Sequence, residues 1–166
     1  SAMMRVLEIA SGLGISLTFD PNPRRKSWPD PENAPQTMLP FIRSASILKL
    51  GVGEPDTLGM TIGQIRSEQP TDSVLVLTDG SNGCWYWYGE AASEPVPSVA
   101  VESVDSTGAG DAFAAALTLR FVEAGRHIGR SDVEYTTVVG ALTTTRQGAM
   151  DALPDASAVN DYLREI

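Results

Sequence analysis

Ten residues decide how this chain is interpreted: Val104-Asp105-Ser106-Thr107-Gly108-Ala109-Gly110-Asp111-Ala112-Phe113. They place two acids and a Gly-x-Gly turn directly before a helical pattern that covers residues 112–124. Glycine lets a ligand approach the main chain, and the first N–H groups of a helix have no partner within the helix. The stretch therefore predicts a site for an anion such as a phosphate at the start of this helix.

Asp111 stands at the mouth of the predicted helix, and the sequence leaves two roles open for it. Its carboxylate is placed to take a proton from a hydroxyl that attacks the phosphate. An acid in the first turn of a helix is also often a capping residue that the helix dipole stabilises.

Two other phosphate-binding motifs do not fit the sequence. A dinucleotide fingerprint would need a third small residue where Phe113 stands. A P-loop needs Gly-Lys-Ser/Thr, and neither of the two lysines, Lys26 and Lys49, follows a glycine.

The order Asp-Ser-Thr-Gly-Ala-Gly-Asp-Ala-Phe resembles the C-terminal signature of the PfkB, or ribokinase-like, carbohydrate kinases, whose usual form is Asp-Thr-x-Gly-Ala-Gly-Asp. The resemblance implies that Asp111 is the catalytic base. It also implies that the N–H groups of Gly108, Ala109 and Gly110 form an anion hole for the transferred phosphoryl group.

Composition limits the class of protein. The chain has 166 residues, 42% hydrophobic content and a formal charge of -9, which fits one soluble domain and argues against a nucleic-acid partner. ATP needs only local positive potential, so this charge does not exclude it. No segment has the roughly 18 apolar residues of a membrane span or the pattern of an export signal, so the expected location is cytoplasmic. The single Cys84 lies in an aromatic strand, which favours a packing role.

Apolar strand patterns alternate with helical patterns and one aromatic hairpin, which predicts an α/β fold with a layered, mostly parallel sheet. The resemblance makes this fold a ribokinase-like α/β/α arrangement. Strands are predicted over 15–19, 46–50, 74–78 and 84–88, helices over 4–12, 56–68, 112–123, 131–145 and 155–166, and a Pro-rich loop over 29–40.

Family members are usually about twice as long, near the upper size of a single domain. The resemblance covers residues 15–154 and only the C-terminal half of the family, so the N-terminal half and the β lid are expected to be absent. Residues 1–3 are interpreted as an expression remnant, and residues 4–166 as the nucleotide-binding and catalytic part.

Asp20, Asn22 and Arg24 follow the first predicted strand, where Pro21 and Pro23 prevent further strand pairing. Ligands bind at the carboxyl ends of such strands. The segment resembles fructokinases and ketodeoxygluconate kinases at this point, which implies that the three polar residues contact the sugar. A turn held by Asx hydrogen bonds is the alternative.

Glu54 matches the acid that helps to organise Mg²⁺ and phosphate in the family, three residues after an Asn or Ser. Here Gly51 takes that position, so the resemblance is partial and a Mg²⁺ role of Glu54 would act through water. The alternative is a solvated acid near a helix start.

Thr78, Gly80 and Gly83 match the spacing of the family's Thr-Leu-Gly-x-x-Gly turn, which faces the nucleotide; a plain β-turn is the alternative.

Gly148 begins a segment that resembles the border of the adenine pocket. In potassium-activated members, carbonyls of this region together with Asp105 and Thr107 bind a monovalent cation, and the sequence leaves open whether K⁺ binds here.

The resemblance implies ATP-dependent phosphorylation of a sugar hydroxyl with Mg²⁺, with fructose as the first choice of substrate and 2-keto-3-deoxygluconate as the second. A non-catalytic nucleotide-binding or interaction domain derived from a kinase is the rival. Without the sugar-binding half, the chain alone is expected to be inactive, because phosphoryl transfer depends on positioning. It is also expected to self-associate through surfaces that the absent strands would cover.

Overall fold

The computed structural model describes residues 2–23 and 31–165. The strands are β1 Thr18–Phe19, β2 Ile47–Gly51, β3 Val74–Thr78, β4 Cys84–Tyr88 and β5 Glu94–Val96. The helices are α1 Ala2–Gly12, α2 Ala34–Ile42, α3 Glu54–Leu58, α4 Ile62–Glu68, α5 Ala109–Glu123, α6 Arg130–Thr143 and α7 Ala156–Glu165. Short 3₁₀ turns cover Pro31–Asn33, Gly80–Asn82 and Met150–Ala152.

These elements confirm the predicted α/β fold with a mostly parallel sheet, whose strand order follows the chain from β1 to β5. The chain divides into two compact units: residues up to 78 together with 87–92, and residues 79–86 together with those from 93 onward. No helix in the described ranges is both long and apolar enough to cross a bilayer.

The first unit is built on the parallel strands β1, β2 and β3, in which Phe19 pairs with Leu48 and Leu48 with Leu75. Leu48, Leu75 and the α4 residue Ile65 have no exposed surface. Full burial of one such side chain contributes about 1.5–3 kcal/mol, so apolar packing on the strands holds this unit together.

The second unit contains the β4 residues Cys84–Tyr86, which pair antiparallel with β5, together with helices α5, α6 and α7. Gly140 of α6 lies against the start of α5: a Cβ at this position would be 3.4 Å from the carbonyl oxygen of Ala109 and 3.6 Å from the Cβ of Phe113. These are ordinary contact distances, so the two helices pack directly against each other at this point. In β4, Cys84 is 3% exposed and its sulfur lies 3.9 Å from the Thr137 hydroxyl.

Two sequence-based predictions in the first unit were wrong. The helix predicted over 56–68 is two helices, because Gly59 adopts a left-handed φ of 63° and ends α3. A reciprocal pair of hydrogen bonds between Thr61 and Gln64 then starts α4. The segment predicted as a loop over 29–40 contains most of α2, which tolerates Pro40 near its end because only one main-chain hydrogen bond is lost there.

The ends of other strands and helices also differ from the predicted ones. The first strand covers only Thr18–Phe19, and α5 begins at Ala109 rather than at 112. Helix α6 begins at Arg130, and its first turn is held by Asp132, whose carboxylate accepts the N–H of Gly129 at 3.0 Å. The helix predicted to start at 131 therefore begins one residue earlier.

Candidate active site

Gly108 makes the turn before α5 and has a left-handed φ of 81°. A Cβ at this position would lie 2.9 Å from the Cβ of Ala149 and 3.1 Å from its Cα. The position therefore accepts only glycine, for both its backbone angle and its neighbour. Gly110, in contrast, lies in the first helical turn and is not among the glycines with positive φ.

The N–H groups at this helix start are only partly used. The Ala109 N–H donates to the Ser106 carbonyl at 3.2 Å, and the Ala112 N–H donates to the Gly108 carbonyl at 2.8 Å. Within residues 2–23 and 31–165, no acceptor is found for the N–H groups of Gly108, Gly110 and Asp111. These three groups are the donors that the α5 start offers to an anion.

Asp111 is the third residue of α5 and is exposed. In the described part of the chain its carboxylate accepts no hydrogen bond, so it does not cap the helix through a side-chain bond. The carboxylate therefore remains open to a ligand, and its role as a proton acceptor stays a prediction.

Asp105 ties the turn to the Gly148 loop. One carboxylate oxygen accepts the N–H of Thr107 at 2.9 Å and the other accepts the N–H of Gly148 at 3.0 Å. Hydrogen bonds from the Thr107 hydroxyl, the Gly148 N–H and the Thr107 N–H lower the pKa of Asp105 from 3.8 to about 2. The charged Asp105 thus preorganises the turn, and its role in a monovalent-cation site remains a prediction.

The same segment is anchored to the end of α6, where the Thr144 carbonyl accepts the N–H groups of Val104 and Asp105 at 2.7 and 3.0 Å. Gly148 has a left-handed φ of 94°, and no atom of the described residues lies within 4 Å of a Cβ placed there. Close by in sequence, Met150 and Leu153 are 85% and 48% exposed. The loop therefore presents apolar side chains beside a glycine with open space.

The turn over residues 79–83 is held by its own hydrogen bonds. The Asp79 N–H donates to the Gly83 carbonyl at 2.8 Å, and the Asn82 side-chain amide donates to the Asp79 carboxylate at 2.9 Å. Gly83 has a φ of 96°, and a Cβ there would lie 2.2 Å from the carbonyl oxygen of Val96. Packing against β5 thus requires this glycine, and a nucleotide-facing role for Gly80 and Gly83 stays a prediction.

In the first unit, the Thr78 hydroxyl donates to the Leu50 carbonyl at 3.1 Å. Asn22 is exposed and has a left-handed φ of 42°, which asparagine tolerates better than most residues. Arg24, the third predicted sugar contact, lies outside the described residues.

Asp20 pairs with a residue that the sequence analysis had not connected to any site. Its Oδ2 lies 2.8 Å from the Nζ of Lys49, and the two side chains are only 18% and 11% exposed. The register of β1 and β2 explains the contact, because Phe19 pairs with Leu48 and the next residue on each strand therefore faces the other. A prediction of how β1 and β2 pair would have indicated that Lys49 lies beside Asp20.

Glu54, the first residue of α3, lies in the same unit. Burial raises its pKa most and the charge of Asp20 raises it further, whereas a hydrogen bond from the Gly51 backbone and the charge of Lys49 lower it. Among the described residues, neither Glu54 Oε2 nor Asp20 Oδ1 has a hydrogen-bond partner, although both oxygens are buried. Buried polar atoms without a partner are costly, which points to a ligand that these oxygens accept.

Gly51 leaves space beside this acid. A Cβ at Gly51 would lie 3.8 Å from Cγ, Cδ and Oε1 of Glu54, which is an ordinary contact distance. In the described ranges no group of three or more His, Cys, Asp or Glu side chains is arranged around a metal position. Among the described residues, Asp20 and Glu54 are the two carboxylates that such a cation could use, and water or a ligand would complete its shell.

The structure therefore forms two groups of predicted site residues. In the first unit Asp20 and Lys49 form an ion pair, and the charges of both residues act on the pKa of Glu54. In the second unit the structure joins Asp105, Thr107 and Gly148 by hydrogen bonds beside the α5 start that carries Asp111.

Comparison with known proteins agrees with this geometry. The family model described as pfkB family carbohydrate kinase matches residues 2–156. The chain belongs to the PfkB family of carbohydrate kinases, as the resemblance in the sequence had indicated.

Among curated relatives, the chain is 34% identical to Fructokinase-1 of Zea mays over 170 residues, which cover 96% of this chain and 52% of the relative. It is 32% identical to a probable fructokinase-2 of Arabidopsis thaliana, covering 99% of this chain and 53% of the relative. The chain thus spans about half the length of these relatives.

Solved structures show the same fold. The fructokinase of Xylella fastidiosa with bound ATP superposes with a TM-score of 0.85 at 27% identity, covering 98% of this chain and 56% of that one. A fructokinase of Vibrio cholerae O395 with fructose, ADP and calcium ion gives a TM-score of 0.82 at 28% identity, covering 97% and 55%.

Proposed function

We propose that this chain is the ATP-binding and catalytic-base part of a fructokinase-like sugar kinase, which transfers the terminal phosphoryl group of ATP to a sugar hydroxyl. The observation that carries the proposal is the start of α5, where an exposed carboxylate lies in the same turn as N–H groups, and neither has a hydrogen-bond partner among the described residues. Phosphoryl transfer needs these two elements: a proton acceptor for the hydroxyl and fixed donors for the moving charge.

In this proposal the N–H groups of Gly108, Gly110 and Asp111 hold the transferring phosphoryl group. The Ala109 N–H donates to the Ser106 carbonyl, so it joins them only if that bond is shared or broken. The Gly108 contact with Ala149 and the Asp105 hydrogen bonds hold the turn in place before the ligand arrives, which reduces the reorganisation that catalysis requires.

Asp111 would take the proton of the attacking sugar hydroxyl. Its exposure lets the hydroxyl reach the carboxylate, and its place in the first turn puts the resulting proton transfer beside the donors that bind the phosphoryl group. Thr107, whose N–H and hydroxyl both bond to Asp105, positions the turn and is not itself the proton acceptor.

For the nucleotide, we propose that the base lies on the exposed apolar side chains of Met150 and Leu153 beside Gly148. Apolar surface with a few fixed polar groups is the usual composition of such sites. Thr78, Gly80 and Gly83 remain proposed nucleotide contacts, although the structure already gives Thr78 and Gly83 roles within the fold.

Mg²⁺ is proposed at the carboxylates of the first unit, because Glu54 Oε2 and Asp20 Oδ1 have no hydrogen-bond partner in the described part of the chain and are the hard donors that Mg²⁺ prefers. Two protein oxygens also suit an ion that usually keeps several waters and phosphate ligands. When bound, Mg²⁺ would supply positive charge and open coordination positions in the first unit. Fructose is the proposed sugar, with 2-keto-3-deoxygluconate as the second choice, from the segment that includes Asp20, Asn22 and Arg24.

We further propose that the chain self-associates with a second copy through α1. Met3, Val6 and Ile9 follow one another at helical spacing and are 59%, 55% and 47% exposed. Such a stripe of exposed apolar residues favours association. Light scattering should show a dimer or larger species that Val6→Glu shifts towards monomer, whereas a monomeric wild-type chain would contradict this part of the proposal.

The test of function is nucleotide binding followed by turnover. Calorimetry should detect binding of a non-hydrolysable ATP analogue with Mg²⁺, and ADP release should be measured with fructose, 2-keto-3-deoxygluconate and no sugar. We expect binding without turnover for this chain alone. Absence of nucleotide binding would overturn the proposal in favour of an interaction domain, and turnover at the ordinary rate of about 10 s⁻¹ would overturn the expected inactivity.

A further inference from the structure

Lys49 has no role in the proposed transfer, yet it is one of the most buried charged side chains of the first unit. Its side chain is 11% exposed and its Nζ lies 2.8 Å from Asp20 Oδ2. Lysine is rarely buried unless it is paired. The pair uses one oxygen of Asp20 and leaves Oδ1 buried without a hydrogen-bond partner among the described residues.

Strand geometry brings the Glu54 carboxylate to the same place. Side chains alternate along β2, so Lys49 and position 51 share one face of the strand. A Cβ at Gly51 would lie 3.8 Å from Glu54 Oε1, so the Glu54 carboxylate is on that face too. Lys49 therefore lies on the same face as two carboxylates, each of which has a buried oxygen without a hydrogen-bond partner among the residues that the structure describes.

We propose that Lys49 is a positioning residue and an internal counter-ion that sets how tightly the carboxylates of Asp20 and Glu54 bind a divalent cation. This inference rests on the proposed function, which places Mg²⁺ at these oxygens. Lys49 holds Asp20 by Oδ2, which leaves Oδ1 available to the cation. Its positive charge opposes the incoming cation and offsets the repulsion between the two carboxylates while the cation is absent.

Two opposite effects should follow when the ammonium is removed. The cation-free chain should lose stability, because two buried carboxylates then face each other without a positive partner. The cation should bind more tightly, because it no longer meets a like charge near the same oxygens. A lysine that only braced the two strands would give the first effect without the second.

The experiment compares wild type with Lys49→Met, which keeps an unbranched side chain one atom shorter and removes its charge. Mg²⁺ and Mn²⁺ affinities are measured by calorimetry without nucleotide, and thermal unfolding is recorded with and without saturating Mg²⁺. The control is Arg43→Met, which breaks the exposed pair of Arg43 with Glu68 in the same unit. We expect at least tenfold tighter cation binding and a larger Mg²⁺-dependent rise in Tm for Lys49→Met, and neither change for the control.

Lys49→Gln provides a second variant, since it retains a donor for Asp20 without the charge, and adding Glu54→Gln to it should remove the gain in affinity. Cation binding that is unchanged, weaker or undetectable in both Lys49 variants would overturn the inference, as would their failure to fold even in saturating Mg²⁺. Binding of the ATP analogue is measured on the same samples. If neither wild type nor the variants bind the ATP analogue while the Lys49 variants bind the cation more tightly, the proposed function is contradicted and the role of Lys49 is not.

Discussion

The N–H of Gly148 donates a hydrogen bond of 3.0 Å to Oδ2 of Asp105, a residue 43 positions earlier in the chain. This bond joins the turn that carries the proposed anion site to the loop that carries the proposed nucleotide contacts. Both belong to the second unit, so the preorganisation of this candidate site depends on one ionised carboxylate.

The pKa of Asp105 leads to the first prediction. Its folded-state pKa of about 2 lies below the ordinary 3.8, so its contribution to stability is present above about pH 4 and is lost as the pH falls towards 2. Urea unfolding between pH 5 and 2.5 should show this loss in wild type and a flatter profile in Asp105→Asn. The control is Asp161→Asn, which affects only an exposed pair with Arg164 and should follow the wild-type curve. Parallel curves for wild type and Asp105→Asn would contradict the assignment.

The second prediction concerns the proposed base. In a form of the protein that turns over sugar, Asp111→Asn should lower kcat by about 10²–10⁴ and leave the KM for ATP nearly unchanged, because only proton transfer is lost. Circular dichroism should show an intact fold, since this carboxylate makes no hydrogen bond within the described residues. Asp151→Asn, at another exposed acid of the second unit, should keep wild-type kinetics. Wild-type turnover in Asp111→Asn would exclude Asp111 as the base.

Gly108 and Gly148 allow backbone strain to be separated from packing. Both have left-handed φ, but a Cβ would lie 2.9 Å from Ala149 at Gly108 and would meet no atom within 4 Å at Gly148. We expect Gly148→Ala to lose about 1–2 kcal/mol of unfolding free energy, the usual cost of this backbone conformation, and Gly108→Ala to lose clearly more. Adding Ala149→Gly should partly rescue Gly108→Ala. If chemical denaturation gives equal losses of unfolding free energy in the two single variants, the contact with Ala149 does not contribute to the cost of Gly108→Ala.

The fourth prediction tests the donors at the start of α5 with a matched control in the first unit. Gly110 is the second residue of α5, and Gly63 is the second residue of α4, where a Cβ would meet only the Thr61 hydroxyl at 3.9 Å. Gly110→Val should abolish binding of the ATP analogue by blocking the approach to the N–H groups, whereas Gly63→Val should leave it unchanged. The same affinity in both variants, by calorimetry, would exclude the α5 start as the phosphate site.

Local sequence signals were sufficient for the fold class and for the presence of a helix after the glycine turn, although that helix begins before the predicted residue. The apolar runs of β2 and β3 and the glycine turn before Asp111 each carry their information within a few neighbouring residues. The helix predictions were wrong where a local sequence signal was ambiguous. Gly59 was interpreted as an interior helix residue although it ends α3, and the proline content of α2 concealed a helix that tertiary packing stabilises.

The remaining features depend on contacts that are distant in sequence. The ion pair of Lys49 with Asp20 follows from the register of two strands, and the requirement for glycine at Gly83 comes from the carbonyl of Val96. Neither is visible in a single segment. The same holds for the Asp105 bond to Gly148, which the family resemblance did not describe.

The buried thiol of Cys84 provides a built-in reporter of unfolding. Burial raises its pKa to about 11, and a weaker contact with the Thr137 hydroxyl lowers it only slightly. The folded chain should thus resist alkylating and disulfide reagents, since the thiolate is the reactive form. Because Cys84 is the only cysteine of the sequence, modification of one sulfur per chain would report opening around β4 directly, without a fluorescent label or an engineered residue.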